Sequence, residues 1–310
     1  MMRRKTIIVG IVVLITTISL VLHAQHNQTL KVDVDLVTVN ATVTDSQSRV
    51  VTSLDKDHFK VWEDKVEQKV EYFNTEDAPM SLGIIFDVSG SMKDKISTSR
   101  DAAVTFLKTG NPQDEYFLVT FSSRPEITQD FTSDVSRLQN KIIFKAAEGM
   151  TAMYDSVYLG LDKLRDGSNP KKALLLITDG EDNHSRYTFA NIREFVKEQD
   201  VQIYGIGIVS DPNSQLSSGR TGRSMIEELS DLTGGHAFFP ESIYDLDDVC
   251  TKIAVELKNQ YVLGYRSTNA KKDGAWRRIR VQVTPPKGVG HLDVRSKQGY
   301  YAGAVAPGGN

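Results

Sequence analysis

The pattern of hydrophobic and polar residues changes twice along the chain, near residue 80 and near residue 258. Before the first change and after the second, short apolar stretches alternate with polar residues at a period of two. This period predicts strands with one buried face. Between the two changes, continuous apolar runs alternate with segments whose apolar residues recur at helical spacing. That alternation is typical of a parallel sheet with helices on both faces.

The central segment therefore predicts a doubly wound, mostly parallel α/β domain over residues 80–258. Its predicted strands are 82–86, 116–121, 173–178 and 201–208. Its predicted helices are 96–107, 134–144, 152–165, 188–199 and 225–233. One more helix, over 245–261, carries Cys250 on its apolar side. We therefore expect this single cysteine to be a core residue rather than a reactive thiol.

The segments on either side predict short strands. They fall at 29–44, 59–63, 66–73, 261–265, 277–283 and 292–296. About fifty residues of this kind are too few to form a stable unit alone. We therefore expect the N-terminal segment, 25–79, and the C-terminal segment, 259–302, to pair into one accessory sheet of a small β-sandwich. Small residues, Gly and Pro predict a flexible tail at 303–310.

The first residues predict export. Arg3, Arg4 and Lys5 precede an uncharged apolar run at 7–22, and Ala24 is a small residue at a candidate cleavage position. As a helix this run would reach about 24 Å, short of the ~30 Å hydrocarbon core of a bilayer. We expect a cleaved signal over 1–24, with an uncleaved membrane anchor as the alternative and a buried core helix as a third interpretation. Either of the first two puts the remaining chain outside the cytoplasm.

Composition narrows the class of protein. The 310 residues are 40% hydrophobic and 25% charged, which allows a sizeable core and about two domains. A formal net charge of -3 does not favour nucleic-acid binding, which needs a basic face. A single cysteine cannot form an intrachain disulfide.

Polar side chains follow two of the predicted strands. Asp87, Ser89 and Ser91 come directly after one strand, Asp179 follows another, and Thr151 opens a helix between them. Because ligands of open α/β sheets bind at the carboxyl ends of the strands, we expect these side chains to lie close together. The set offers only oxygen ligands. It therefore predicts a site for Mg²⁺ or Mn²⁺, with Ca²⁺ as a third candidate, rather than for zinc or copper.

Each of these residues alone could instead cap a helix, because Asp and Ser satisfy free helix amides. Their joint occurrence favours the metal site. For Glu181, Asp182 and His184, which follow closely, we expect a solvated loop. We expect Asp155 to support the Thr151 loop or to cap its own helix.

The pattern Asp87-x-Ser89-x-Ser91 with Thr151 and Asp179 resembles the metal-ion-dependent adhesion site of von Willebrand factor type A domains. The resemblance implies that Asp87, both serines and Thr151 ligate the metal and that Asp179 binds it directly or through water. It also implies that an acidic residue of a protein partner completes the metal shell, and it implies no catalytic residue.

Further motifs resemble the signal-bearing bacterial type A-related proteins common in Acidobacteria. They lie at 57–64, 79–82, 234–239, 260–265 and 299–301. This resemblance covers nearly all of residues 29–301 but does not identify the partner. One departure is Met150, where the loops of the family often carry Gly.

Three functions follow as hypotheses. The first is an exported, monomeric, metal-dependent binding module that is not an enzyme and meets a membrane only through an uncleaved N-terminal segment. The second is a Mg²⁺-dependent phosphoryl hydrolase with Asp87 as nucleophile. Such an enzyme usually needs a second acid two residues later, where this chain has Ser89. The third is a structural scaffold of the cell envelope.

Overall fold

The computed structural model describes residues 36–75, 77–143, 145–179, 182–208 and 222–303. The predicted signal or anchor, the first part of the predicted strand at 29–44, and residues 304–310 of the predicted tail lie outside the described residues. None of the helices that are described is both long and apolar enough to span a membrane.

The central domain is built on a mostly parallel sheet, as predicted. Its strands are β5 (Met80–Asp87), β6 (Glu115–Phe121), β7 (Pro125–Thr132), β8 (Lys171–Thr178), β9 (Gln202–Gly207) and β10 (Ala237–Phe238), which lie in the order β10-β9-β8-β5-β6-β7. Strand β7 runs antiparallel to β6 and has no counterpart among the predicted strands. It is an edge strand with only half-buried and exposed residues, so it lacks the apolar run that marks its neighbours.

Helices cover both faces of this sheet. They are α1 (Ile96–Thr109), α2 (Val135–Ile143), α3 (Met153–Leu164), α4 (Phe189–Lys197), α5 (Gly222–Thr233) and α6 (Leu246–Lys258). Helices α1, α2 and α6 share one core with Ile84 and Phe86, whereas α3, α4 and α5 share the other with Ile85. Successive β5 residues therefore enter opposite cores. Cys250 of α6 lies in the first core, and burial raises the pKa of its thiol to about 12.

The flanking strands form two antiparallel sheets. The first contains β1 (Leu36–Asp45), β4 (Val70–Asn74), β11 (Tyr261–Arg266) and β13 (Leu292–Ser296) in the order β13-β1-β11-β4. The second contains β2 (Phe59–Glu63), β3 (Val66–Gln68), β12 (Trp276–Val283) and β14 (Gly299–Tyr301) in the order β14-β12-β2-β3. The expected pairing of the two chain ends is confirmed, but it produces two sheets instead of one. Val39, Val61, Leu263 and Ile279 from both sheets share one core.

A buried ionic cluster connects these two sheets. The Glu63 carboxylate of β2 accepts hydrogen bonds from Tyr265 Oη at 2.8 Å, Tyr300 Oη at 2.7 Å and Ser267 Oγ, and pairs with Arg277 Nη1 at 3.2 Å. Burial alone would raise the pKa of Glu63, but these four partners outweigh it and hold the pKa below its usual value. The carboxylate is therefore ionised at neutral pH and fully partnered.

We expect Glu63→Gln to lower the free energy of unfolding by about 3 kcal/mol, because it leaves the Arg277 guanidinium buried and unpaired. Urea denaturation measures this change. The control Glu67→Gln alters an exposed carboxylate on the neighbouring strand, and we expect a change below about 0.5 kcal/mol. Equal losses in the two variants would contradict a structural role of the buried cluster.

Candidate functional site

The site starts where β5 ends. Asp87 is its last residue, and Asp87 and Ser89 are both fully buried. The Ser89 backbone amide donates to Asp87 Oδ1 at 2.8 Å, and Thr178 Oγ1 at the end of β8 donates to Asp87 Oδ2 at 2.6 Å. Both carboxylate oxygens are thus oriented from two adjacent parallel strands. Sequence reasoning missed Thr178, because nothing in a strand-terminal threonine reveals which side chain it meets.

A row of polar side chains continues from Asp87 to the next strand end. Ser89 Oγ lies 3.1 Å from Ser91 Oγ, and Ser91 Oγ donates to Asp179 Oδ1 at 3.0 Å. Four of the five predicted residues therefore lie in one hydrogen-bonded cluster, which we call the Asp87 cluster: Asp87, Ser89, Ser91 and Asp179.

The loop that carries Thr151 is fastened to the loop after β5 by backbone hydrogen bonds. The Gly90 amide donates to the Gly149 carbonyl at 3.0 Å, and the Glu148 amide donates to the Val88 carbonyl at 2.9 Å. Gly149 has a φ of 84°, which a side chain would disfavour. These contacts bring the loop that carries Thr151 to the edge where Asp87 lies.

Thr151 itself is buried and held through its backbone. Its amide donates to Asn183 Oδ1 at 2.9 Å, and its carbonyl accepts from the amides of Asn183 and His184 at 3.0 and 3.1 Å. The segment after Asp179 thus fixes the Thr151 backbone. The part of its hydroxyl in metal binding stays a prediction.

Two predictions about the surrounding acids need correction. Asp182 is not a solvated loop residue: its carboxylate accepts the Tyr154 amide at 3.0 Å, in the first turn of α3, and also the Ser185 hydroxyl. Asp155 is buried and accepts the backbone amides of Arg186 and Tyr187 at 2.9 and 3.0 Å. Both acids therefore tie the segment after β8 to α3.

Two outcomes remain for the residues that follow Asp179. His184 is exposed, as expected for a loop residue. Glu181 lies outside the described residues.

The surroundings of Asp87 disfavour the charged form of its carboxyl group. Burial raises the pKa of its carboxyl group to about 6, the hydrogen bonds of Ser89 and Thr178 lower it in part, and the negative charge of Asp179 raises it further. The negative charge of Asp179 therefore opposes the ionisation of Asp87. A cation between them would relieve this repulsion.

Lys95 supplies a positive charge to the cluster that the sequence analysis did not foresee. Its Nζ lies 3.1 Å from Asp179 Oδ2 and 3.4 Å from the Ile208 carbonyl oxygen. The side chains of Lys95 and Asp179 are 15% and 9% exposed, so the pair is largely shielded from water. A lysine directly before a helix opposes the helix dipole, and this unfavourable position was the available signal.

The donor set fits a hard divalent cation. It contains two carboxylates and serine hydroxyls, with the loop of Thr151 fastened beside them. Among the residues that the structure describes, no three or more His, Cys, Asp or Glu side chains are grouped so as to hold a metal ion, so the two carboxylates would need the hydroxyl oxygens beside them. The Asp87 cluster contains neither His nor Cys, and its oxygens suit Mg²⁺, Mn²⁺ or Ca²⁺ rather than zinc or copper.

The raised pKa of Asp87 predicts a pH dependence of stability in the presence of chelator. From the ordinary value of 3.8 up to about 6 the folded state binds a proton that the unfolded state has lost, so ionising Asp87 lowers stability as pH rises through this window. We expect Asp87→Asn to gain stability relative to the parent protein by on the order of 2–3 kcal/mol between pH 4 and pH 7.

Urea denaturation in EDTA at several pH values measures the difference. The control is Asp94→Asn, which changes an exposed aspartate near the cluster and for which we expect a nearly constant difference. Parallel pH profiles for the parent protein and Asp87→Asn would contradict the assigned electrostatics.

Comparisons with known proteins identify a von Willebrand factor type A domain in this chain. The family model described as von Willebrand factor type A domain matches residues 82–181, a range that includes all five candidate residues. Mouse inter alpha-trypsin inhibitor heavy chain 4 is 30% identical over 165 residues, which cover 46% of this chain. The aligned part is only 17% of that relative. Nothing about the activity or partners of the whole mouse protein therefore transfers directly.

Among solved structures, a von Willebrand factor type A protein from Catenulispora acidiphila is similar to this chain with a TM-score of 0.50 at 12% identity. The similarity covers 85% of this chain and 73% of that one. A likeness at this level of identity supports the fold alone. The narrower similarity to acidobacterial proteins stays a prediction.

Proposed function

Since this chain is a von Willebrand factor type A domain protein, with the kind of domain found in interaction and adhesion modules, we propose that it binds a protein partner through a divalent cation. The cation would be held at the Asp87 cluster together with Thr151. The observation that carries this proposal is the continuous row of oxygens from Asp87 to Asp179 at the carboxyl edge of the sheet.

Each residue would have a distinct part in holding the ion. Asp87 is oriented by Ser89 and Thr178, so its charge is fixed in position before a ligand arrives. Ser89, Ser91 and Thr151 would contribute neutral oxygens, which leave the bound ion with most of its positive charge. A bound Mg²⁺ or Mn²⁺ would supply a strong electrostatic attraction for a carboxylate of the partner.

The surface next to the cluster would determine which partner is accepted. Met150 is 54% exposed beside Thr151, and His184 is exposed in the segment that fixes Thr151. An apolar side chain and an imidazole at the rim of a charged centre would select the residues that flank the acidic group of the partner. The departure of Met150 from the Gly of related loops therefore bears on specificity.

The proposal also takes the module to be an exported monomer. Its place outside the cytoplasm rests on the basic and apolar N-terminal sequence, which precedes the described residues.

The hydrolase hypothesis finds little support in the geometry. Asp87 is fully buried, and both its oxygens already accept hydrogen bonds, which weakens it as a nucleophile. Ser89 cannot replace the second acid that such an enzyme needs. We therefore propose that the protein is not an enzyme. A scaffold role differs from adhesion in one respect: partner binding would not depend on the metal.

Calorimetric titration of Mg²⁺ and Mn²⁺ into the protein tests the metal site. We expect saturable binding at one site, weakened at least tenfold in Asp87→Ala and Asp179→Ala because each removes a negatively charged ligand. The control Asp94→Ala removes an exposed charge nearby and should leave the affinity within about twofold. Titration curves for Asp87→Ala and Asp179→Ala that match the parent protein would overturn the assignment.

The interaction function needs its own measurement. Immobilised poly-L-glutamate serves as the probe for an acidic partner, with surface plasmon resonance in Mg²⁺ and then in EDTA as the readout. If adhesion depends on the metal, part of the binding to poly-L-glutamate should be lost in EDTA, and the same part should be lost in Asp87→Ala. If neither treatment removes any binding, the metal has no part in capture.

Lys95 should oppose metal binding, because its ammonium group occupies Asp179 Oδ2 and would lie close to a second cation. We expect Lys95→Met to raise the Mg²⁺ affinity about tenfold, measured by the same titration. The exposed Lys93→Met serves as the control for net charge. A weaker affinity in Lys95→Met would instead show that Lys95 holds Asp179 in place for the metal.

A further inference from the structure

A second charged feature lies in a groove of about 490 Å³ where α4 and α5 meet β12. Four cations and an aromatic ring line it: Arg193, Lys197, Arg278, Arg280 and Trp276. Helix α4 begins shortly after Tyr187, whose amide donates to Asp155, and it ends in the groove at Lys197, about 13 Å further along. None of the residues that line the groove belongs to the Asp87 cluster.

The positive charge of this groove is neutralised from within only in part. Arg193 pairs with Glu228, and Lys197 pairs with Glu194, both at 2.8 Å. Arg278 and Arg280 are exposed, and among the described residues neither guanidinium makes an ion pair. In a chain with a net charge of -3, this is a local excess of positive charge that faces solvent.

Aromatic side chains share the same face of the sheet. Trp276 and Arg278 alternate with buried residues on β12, and the half-buried Trp62 of β2 lies opposite Arg280. Tyr301 packs edge-on against Trp276 with ring centroids 5.1 Å apart. Trp, Tyr and Arg are the residues most enriched among the energetically dominant contacts of protein interfaces.

We propose that this face binds an extended acidic segment of a partner protein, with carboxylates on alternate residues, and does so without a metal. Arg278 and Arg280 are two residues apart on one face of a strand, hence about 7 Å apart. An extended peptide repeats its same-side side chains at the same distance. Each guanidinium can hold one carboxylate through two parallel hydrogen bonds.

The proposed recognition rests on side chains, because the exposed guanidinium groups lie on a face of the sheet. Strand β12 lies between β14, which pairs with its residues 276–278, and β2, which pairs with its residues 279–283. This site goes beyond the metal-dependent capture proposed above, because its ligand is held by arginines at the opposite end of α4.

Fluorescence anisotropy with labelled peptides tests the proposal, using the full chain in EDTA. The probes are three octapeptides: one alternates glutamate and serine, a block peptide has the same composition with all its glutamates before its serines, and a neutral peptide alternates glutamine and serine. We expect the alternating acidic peptide to bind at least fivefold tighter than the block peptide, and the neutral peptide not to bind. Arg278→Gln and Arg280→Gln should each weaken binding at least fivefold.

Two controls separate this site from other effects. Arg266→Gln removes one positive charge from the other sheet, where it pairs with Glu71, and should change the affinity by less than twofold. Asp87→Ala should bind the peptide like the parent protein, which distinguishes the groove from the metal site even if the latter fails its own test. Circular dichroism checks that both arginine variants are folded.

Three outcomes would overturn the proposal. Equal affinity for the two acidic peptides would reduce the interaction to nonspecific charge attraction. Absence of binding by the alternating acidic peptide would remove it altogether. Tighter binding of polygalacturonate, lost in the same arginine variants, would identify an acidic polysaccharide as the ligand instead of a protein segment.

Discussion

The buried carboxylate of Asp87 is the constraint around which the candidate site is arranged. A charge at the end of a fully buried strand is unfavourable unless other groups compensate for it. Here the compensation comes in part from Ser89 and Thr178, which hold the two carboxylate oxygens from two neighbouring strands. The remaining imbalance appears in the raised pKa of Asp87 and in the proximity of Asp179. A site arranged in this way favours the arrival of a cation.

Lys95 compensates part of the negative charge of the Asp87 cluster without a metal ion. Its ammonium group reaches Asp179 but none of the contacts described for it involves Asp87, so one carboxylate has a permanent counterion and the other does not. The two acids are therefore not equivalent. Asp87 is the carboxylate that most needs a divalent ion, whereas Asp179 has to exchange one cation for another. The affinity for the divalent ion would therefore depend on two opposing effects. Asp87 attracts the ion, whereas the Lys95–Asp179 ion pair has to be broken before Asp179 can bind it.

The sequence was sufficient for features that depend on local pattern. The β5 run and the strand end at Asp179 located four members of one cluster, because parallel strands bring their carboxyl ends to the same edge. It was insufficient for Thr178, Lys95 and Asp182, whose contacts cross between elements. The same reason explains the flanking strands: their pairing was foreseeable from their small size, but period-two patterns do not determine which strands share a sheet.

The pairing of β4 with β11 explains how the two parts of the fold depend on each other. Asn74 lies opposite Val262, so the whole α/β domain is inserted between two hydrogen-bonded neighbours of the sandwich. Holding these ends together removes the freedom that a long connection would otherwise have. Since the second sheet of the sandwich also contributes β12 to the basic groove, the sandwich has two roles. It holds together the two chain segments that enter and leave the α/β domain. It also supplies the β12 side of the basic groove, which the α/β domain alone would lack.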